Sequence, residues 1–414
     1  MRARPTRSSA LAVLLVLPAL AAAAPPPSAG GSAAPTRSSV DLLAFAQGTQ
    51  PLSLSIDGVA SSDLDGAIRA IDGDITPFVL VRAGTAATVV EVVYALPAPT
   101  RFDAFAVPTV TEVPSRATTF VRGIEISGSA AGADTGYQVL ASATLVTHKK
   151  RGLVSPLAVV ASPAVRWLKL RLTGGIVLPD GKGSLQFSEL EGYGSQDVVP
   201  TSTSFTGSFT GKAVQIGLTQ RGATVTGCYD RDGGELQGTV SGNILRAVGV
   251  DPGDKVRSVF VLLVTAEGRL RGLRSTNGAP FRLYEAGPGG STPRCGAPPP
   301  RLGCGSVIHA VSFDFDSARL RPDSDGVLAE LYAGLSADKR QSIVVEGHTS
   351  SEGKRDHNQA LSLARAQAVV ADLVRRGLDK RRLRATGRGP DEPLASNQDE
   401  AGRALNRRVE IECK

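Results

Sequence analysis

Asn358, Leu361 and Arg365 lie at i, i+3 and i+7 in one stretch of this chain. On a helix that spacing puts an amide, an apolar side chain and a guanidinium on one face. Ser362 adds a hydroxyl nearby. A planar guanidinium pairs bidentately with a carboxylate, so the group suits a small ligand carrying one. The apolar set Ala366, Val369, Val370, Leu373 and Val374 also recurs at helix spacing, on a different face. Arg375-Arg376-Gly377 supplies a basic last turn and a glycine stop, with Arg376 read as an exposed charge. Ahead of the helix, Ile343-Val344-Val345-Glu346 reads as a strand ending at Gly347-His348-Thr349-Ser350.

These elements need a domain around them. Val311, Phe313 and Phe315 alternate with Ser312, Asp314 and Asp316, which predicts a first strand. Pro322 opens a helix with Val327, Leu328, Leu331 and Leu335 at helix spacing. A strand at Leu383–Gly387, a short helix near Glu400–Leu405 and a strand through Val409, Ile411 and Cys413 follow. Strands alternating with helices predict an α/β domain with a mixed sheet covered by helices.

Four blocks in this region carry a resemblance. They are Phe315-Asp316-Ser-Ala-Arg-Leu-Arg-Pro322, Gly347-His348-Thr349, Asn358 to Ala366, and Gly402-Arg-Ala-Leu-Asn406-Arg407-Arg408. In this order they resemble the OmpA-like peptidoglycan-binding domain. The resemblance implies non-covalent recognition of the diaminopimelate of the peptidoglycan stem peptide. It implies a binding set of Asp316, Thr349, Ser350, Asn358, Leu361, Arg365 and Arg407, with Arg408 left exposed and His348 structural. The family's acid after Gly-His-Thr is Ser350 here. Replacing that acid by a hydroxyl weakens the grip on an ammonium, and Glu352 or Asp316 could restore it.

Upstream the chain is all β. Residues 39–197 contain short Val-, Ile- and Leu-rich runs separated by Gly, Pro and Asp, the pattern of a sandwich. Ala70-Ile-Asp72-Gly-Asp74, Ile124-Glu-Ile-Ser-Gly-Ser129 and Arg166-Trp-Leu-Lys-Leu-Arg-Leu172 resemble the discoidin, or galactose-binding-like, jelly roll, which implies loops that bind a glycan or a protein. From its residues alone, Asp72-Gly73-Asp74 reads as an aspartate-capped turn. Residues 203–287 alternate between glycine-punctuated hairpins and predict a small antiparallel β domain, similar to small bacterial barrels. The Pro- and Gly-rich run 288–303 reads as a stiff linker that isolates the C-terminal domain, 304–414.

Residues 1–23 combine Arg2, Arg4 and Arg7 with an apolar run and small residues, the pattern of a secretory signal peptide, and 24–38 is a flexible linker. Export places the protein in the periplasm, associated with the outer membrane. The formal charge of +7 loses those three arginines, 7 − 3 = +4, too little and too scattered for nucleic acid. Export also makes disulfides the expected state of the four cysteines. Three pairings are possible; Cys304–Cys413, flanking one domain, is favoured, with Cys228–Cys295 as the other. The 4 histidines lack metal-ligand spacing, and no Gly-x-Ser-x-Gly elbow or phosphate loop occurs. No enzyme, metal or cofactor is expected. The expected function is an exported envelope protein anchored to peptidoglycan, with N-terminal β domains for a glycan or protein. The alternative is an envelope protein–protein scaffold whose C-terminal domain has lost tight wall binding.

Overall fold

Along Val165–Thr173 apolar and polar residues alternate, and this becomes a central strand with Leu168, Leu170 and Leu172 at most 1% exposed. In this computed structural model it lies between Val89–Pro108 and Gly123–Ser129. The structure describes residues 40–414 except 86, 110, 114–117, 151–152, 175–182, 203, 213, 231–233, 252, 254, 291–301 and 339–341. The expected signal peptide and first linker, Cys295 and most of the second linker therefore fall outside the described residues.

Val89–Pro108 is long enough to serve two sets of partners. Its first half pairs with Gln50–Ile56 and Val165–Thr173, its second with Val154–Leu157 and Glu191–Gln196. The resulting eight-stranded sheet shares a core with a three-stranded sheet, Phe78–Gly84, Gly183–Phe187 and Thr118–Phe120. Phe78, Val81, Leu185 and Phe187 from the small sheet meet Val92, Ile126 and Leu170 from the large one. A short helix, α1 (Asp65–Arg69), and a 3-10 turn at Phe45–Gln47 interrupt this sandwich. Asp72 Oδ1 accepts from Asp74 N at 2.9 Å, and Asp74 Oδ1 from Thr76 N at 2.9 Å, so the Asp-Gly-Asp segment forms the capped turn its residues suggest.

The hairpins from Gly207–Gly211 to Arg282–Pro288 form a closed barrel, sealed by pairing of Phe209 with Pro288. Its lumen is filled by side chains, as an eight-stranded barrel allows. Arg274 lies over the rings of Tyr229, Phe260 and Tyr284 at 4.8, 5.3 and 5.6 Å and pairs with Asp230 at 2.8 Å. Cys228, in the barrel wall, is disulfide-bonded.

The C-terminal domain has a four-stranded mixed sheet, ordered Val307–Ile308, Val409–Cys413, Ile343–His348, Leu383–Gly389. The last two run parallel, the other pairs antiparallel. Helices α2 (Asp325–Ala337) and α3 (Arg355–Arg375) cover it, and α4 (Glu400–Asn406) precedes the last-numbered strand. Ala366, Val369 and Leu373 of α3 are buried with Leu331, Leu335, Val345 and Ile411. Cys304 and Cys413 are bonded with their Cα atoms 5.4 Å apart.

Three expectations are corrected. The expected strand at Val311–Asp316 is reduced to one bridge, Phe313 with Leu320. Val307–Ile308 already occupies the free edge of Val409–Cys413, and the chain turns back between Asp314 and Arg319. Arg408 is buried, not exposed: it bonds Glu410 at 2.6 Å and the carbonyl of Glu392 at 3.0 Å. The C-terminal domain is not isolated either. Ala395, Ala401, Ala404 and Leu405 belong to the apolar core of the sandwich, and α2 meets the barrel where Ala223 N donates to Glu330 at 2.9 Å. Among the described residues no helix is long and apolar enough to cross a membrane.

Candidate functional site

The site forms where α3 crosses the ends of the two parallel strands. Gly347 permits the crossing: a Cβ there would lie 2.2 Å from the Ser362 carbonyl. Ser362 is fully buried and ties helix to strand, accepting from Gly389 N at 2.9 Å and donating to the Gln359 carbonyl at 2.9 Å. It is a structural hydroxyl, not the ligand-facing one its spacing suggests. Asn358, 4% exposed, donates to the carbonyls of Glu352 at 2.7 Å and Ser350 at 3.3 Å, so its amide fixes the loop after His348.

Arg365 projects from the same face. Its Nε donates to the Ser317 carbonyl at 3.0 Å, and its guanidinium lies 5.1 Å from the centre of the Phe313 ring. These contacts fix the plane of the fork, whose Nη1 and Nη2 make no hydrogen bond among the described residues. Burial and the neighbouring Arg407 pull its pKa down to about 10, against the pull of Asp316, so it stays charged at neutral pH. Two guanidiniums this close favour an anion between them. Asp316, at φ 47°, accepts from His357 Nε2 at 2.6 Å.

The loop after the strand Ile343–His348 carries Thr349, Ser350 and Glu352. The Thr349 hydroxyl is buried and has no hydrogen-bond partner among the described residues, an orphan that invites a ligand atom. Ser350 Oγ donates to Glu352 at 3.4 Å. Glu352 in turn stands 3.6 Å from Arg403 and 3.8 Å from Arg407. Arg407 is held from behind by Glu400. Six of the eight expected residues, Asp316, Ser350, Glu352, Asn358, Arg365 and Arg407, are thus joined by contacts or charge; Thr349 is the chain neighbour of Ser350, and the half-buried Leu361 lies on α3. His348 is 2% exposed, and burial, then Arg408, holds its pKa down to about 3. A ring neutral at working pH fits the structural role read for it.

Residues 312–407 match the OmpA family. Outer membrane protein A of Bordetella avium is 41% identical over 100 residues, which is 24% of this chain and 52% of that protein. A peptidoglycan-associated lipoprotein of Pseudomonas aeruginosa is 36% identical over 105 residues, 25% of this chain and 62% of that one. The chain therefore spans about half to three fifths of the length of these relatives. The crystal structure of the peptidoglycan-associated lipoprotein from Burkholderia pseudomallei aligns at 31% identity, covering 25% of this chain and 88% of that one, with a TM-score of 0.24.

The OmpA-like domain uses residues that sequence reasoning missed. Phe313 and the Ser317 carbonyl orient Arg365, and neither bears a signal in the sequence. Glu400 and Arg403 complete the ion network around Arg407, with Arg403 bonded to Glu400 at 3.0 Å. Their signal was available: Glu400, Arg403 and Arg407 stand at i, i+3 and i+7 behind Asp399, whose carboxylate caps α4 by accepting from Gly402 N at 2.7 Å.

Proposed function

We propose that this chain is an exported envelope protein that docks non-covalently on peptidoglycan through its OmpA-like domain. The ligand is the amino-acid end of diaminopimelate. Its carboxylate pairs with the fork of Arg365, aided by Arg407 and the Thr349 hydroxyl. Its ammonium faces Glu352 and Asp316. The observation that carries this reading is an oriented guanidinium whose Nη1 and Nη2 make no hydrogen bond among the described residues, in a domain that also leaves the buried Thr349 hydroxyl without a partner among them. The name of the Pseudomonas relative says that it is peptidoglycan-associated, which supports the same ligand. The role is anchoring rather than catalysis, in the periplasm near the outer membrane. The sandwich, with its resemblance to discoidin domains, would meet a glycan or another envelope protein. Sedimentation of the full chain with purified sacculi tests the reading: binding to diaminopimelate-type sacculi should be saturable, and binding to lysine-type sacculi weak. Equal sedimentation with both would defeat it.

Ser350 in place of an acid favours the scaffold alternative, and Glu352 counters it. The Glu352 carboxylate lies within reach of Ser350 Oγ, Arg403 and Arg407, which supports it as the replacement acceptor. Glu352→Gln should weaken sacculus binding about threefold to tenfold, a modest loss because the group is half exposed and screened. Ser350→Asp should leave binding within about twofold of wild type, since it sets a second carboxylate beside the first. A gain of tenfold or more from Ser350→Asp would show that Glu352 does not fill the role.

A further inference from the structure

We propose that the sandwich is a pH-sensitive positioning element for the peptidoglycan pocket: docked on α4 it keeps Glu400 braced behind Arg407, and rising pH loosens the dock and weakens wall binding. This rests on the reading of the pocket given above and adds its regulation.

The seam is close and specific. Gly73 stands at φ +84°, and a Cβ there would lie 2.4 Å from both the backbone nitrogen and the Cβ of Glu400. The Asp72–Asp74 turn therefore rests directly on the first residue of α4. Ala401, Ala404 and Leu405 on that helix are buried in a core shared by the sandwich and the outer face of the barrel, and α4 packs on the sandwich turn Phe45–Gln47. Glu400 is 8% exposed and spends its carboxylate on Arg403 and Arg407. The brace on Arg407 is thus one residue deep, with the sandwich as its backing.

Carboxyl groups crowd this seam. From the sandwich come Asp41, Asp72, Asp74, Glu189 and Glu191, with Arg69 near Asp72 and with Tyr94 and Tyr193 facing the acids. From the OmpA-like domain come Asp399 and Glu400, opposed by Arg403 and Arg407, with Glu352 beyond them. The barrel adds Arg246, which donates to the Ala46 carbonyl at 2.6 Å and is pulled down to about 10 by burial and then by Arg407. Glu189 is fully buried; one oxygen accepts from Gly73 N at 3.1 Å and the other has no partner among the described residues.

The sign follows from linkage. Burial, then the charges of Asp74 and Asp399, push Asp72 up to about 8. Burial, then Asp74 and Glu400, push Asp399 up to about 6. Burial and then Asp72 also raise Glu189. Undocked and hydrated, these carboxyls return toward about 4. The docked form therefore binds more protons. Docking is fully favoured below about pH 4 and is lost as pH rises through about 6 and then about 8. Glu400 behaves oppositely: burial raises it, but Arg407 and Arg403 outweigh burial and hold it ionised, so the brace itself survives mild acid.

The test uses the full chain and diaminopimelate-type sacculi at pH 5.5 and 8.5. Wild-type Kd should rise about tenfold between the two, because apparent affinity falls with the docked fraction. Asp72→Asn keeps an acceptor for Asp74 N and cannot ionise; with Asp399 and Glu189 still able to titrate, its Kd should rise only about threefold over the same range. Gly73→Val should bind at pH 5.5 as weakly as wild type does at 8.5, with faster hydrogen exchange in residues 399–406. If Gly73→Val does not fold, the Asp72→Asn profile decides alone. A flat wild-type profile, or a full slope retained in Asp72→Asn, overturns the inference. Arg365→Ala in parallel keeps the two claims apart: if it binds like wild type, the pocket reading falls; if it does not bind while Asp72→Asn keeps the slope, only the regulation falls.

Discussion

Arg365→Ala should cost about 2–4 kcal/mol of sacculus binding, roughly thirtyfold to several hundredfold in affinity. The change removes a cation whose fork is oriented from behind, by the Ser317 carbonyl and the Phe313 ring, with Nη1 and Nη2 left without a partner among the described residues. It also leaves the ligand carboxylate unpaired on a partly desolvated wall, which adds to the loss. Arg376 on the same helix is a poor control. It reads in sequence as an exposed charge, but its side chain is 16% exposed and bonds Asp372 at 2.6 Å and Asp325 at 2.5 Å, tying α3 to α2. Arg381, 91% exposed at the far end of the strand Leu383–Gly389, is the better one. Arg381→Ala should change affinity by less than about threefold. If both variants weaken sedimentation equally, the attraction is diffuse charge, and the pocket is not the receptor.

Removing the Cys304–Cys413 bridge should have the largest effect on stability. The bond closes 109 residues of chain, and in the chain-entropy model a loop of that length contributes about 4–5 kcal/mol. The helices are concentrated in the OmpA-like domain, so the far-UV helical signal reports on that domain, whereas Trp167 reports on the sandwich. In Cys304→Ala/Cys413→Ala the helical signal should be lost at markedly lower denaturant than in wild type. An unchanged midpoint would show that the seam with the sandwich and barrel, and not the bridge, holds the domain ends.

The parts legible in the sequence are those set by local periodicity. The stripe Ala366, Val369, Leu373 placed α3, and the spacing from Asn358 to Arg365 placed the amide and the guanidinium on one face. The orientation of the Arg365 fork was not legible, because it rests on the Ser317 carbonyl and the Phe313 ring, which reach it from outside the helix. The misreadings share a different cause. Val311, Phe313 and Phe315 alternate well, yet a strand needs a partner edge, and Val307–Ile308 had taken it. Arg408 alternates outward from Val409 and Ile411, but a loop at Glu392 covers that face. Ala401, Ala404 and Leu405 announce a buried helix without saying whose core it enters; here it is one shared by the sandwich and the outer face of the barrel. Deleting residues 39–287 would therefore expose an apolar face of α4 and unback Glu400, so the full chain is the right object for binding work.

The central claim is that the pocket takes the amino-acid end of diaminopimelate. Titrating free diaminopimelate into the full chain while observing the arginine side-chain Nε–Hε resonances tests it most directly. The account predicts a saturable shift of the Arg365 resonance, accompanied by Thr349, Ser350 and Glu352 backbone amides, absent with Nα-acetyl-lysine amide, which keeps the ε-ammonium but has no free amino-acid end. No shift at Arg365 in a chain that still sediments with sacculi would contradict it.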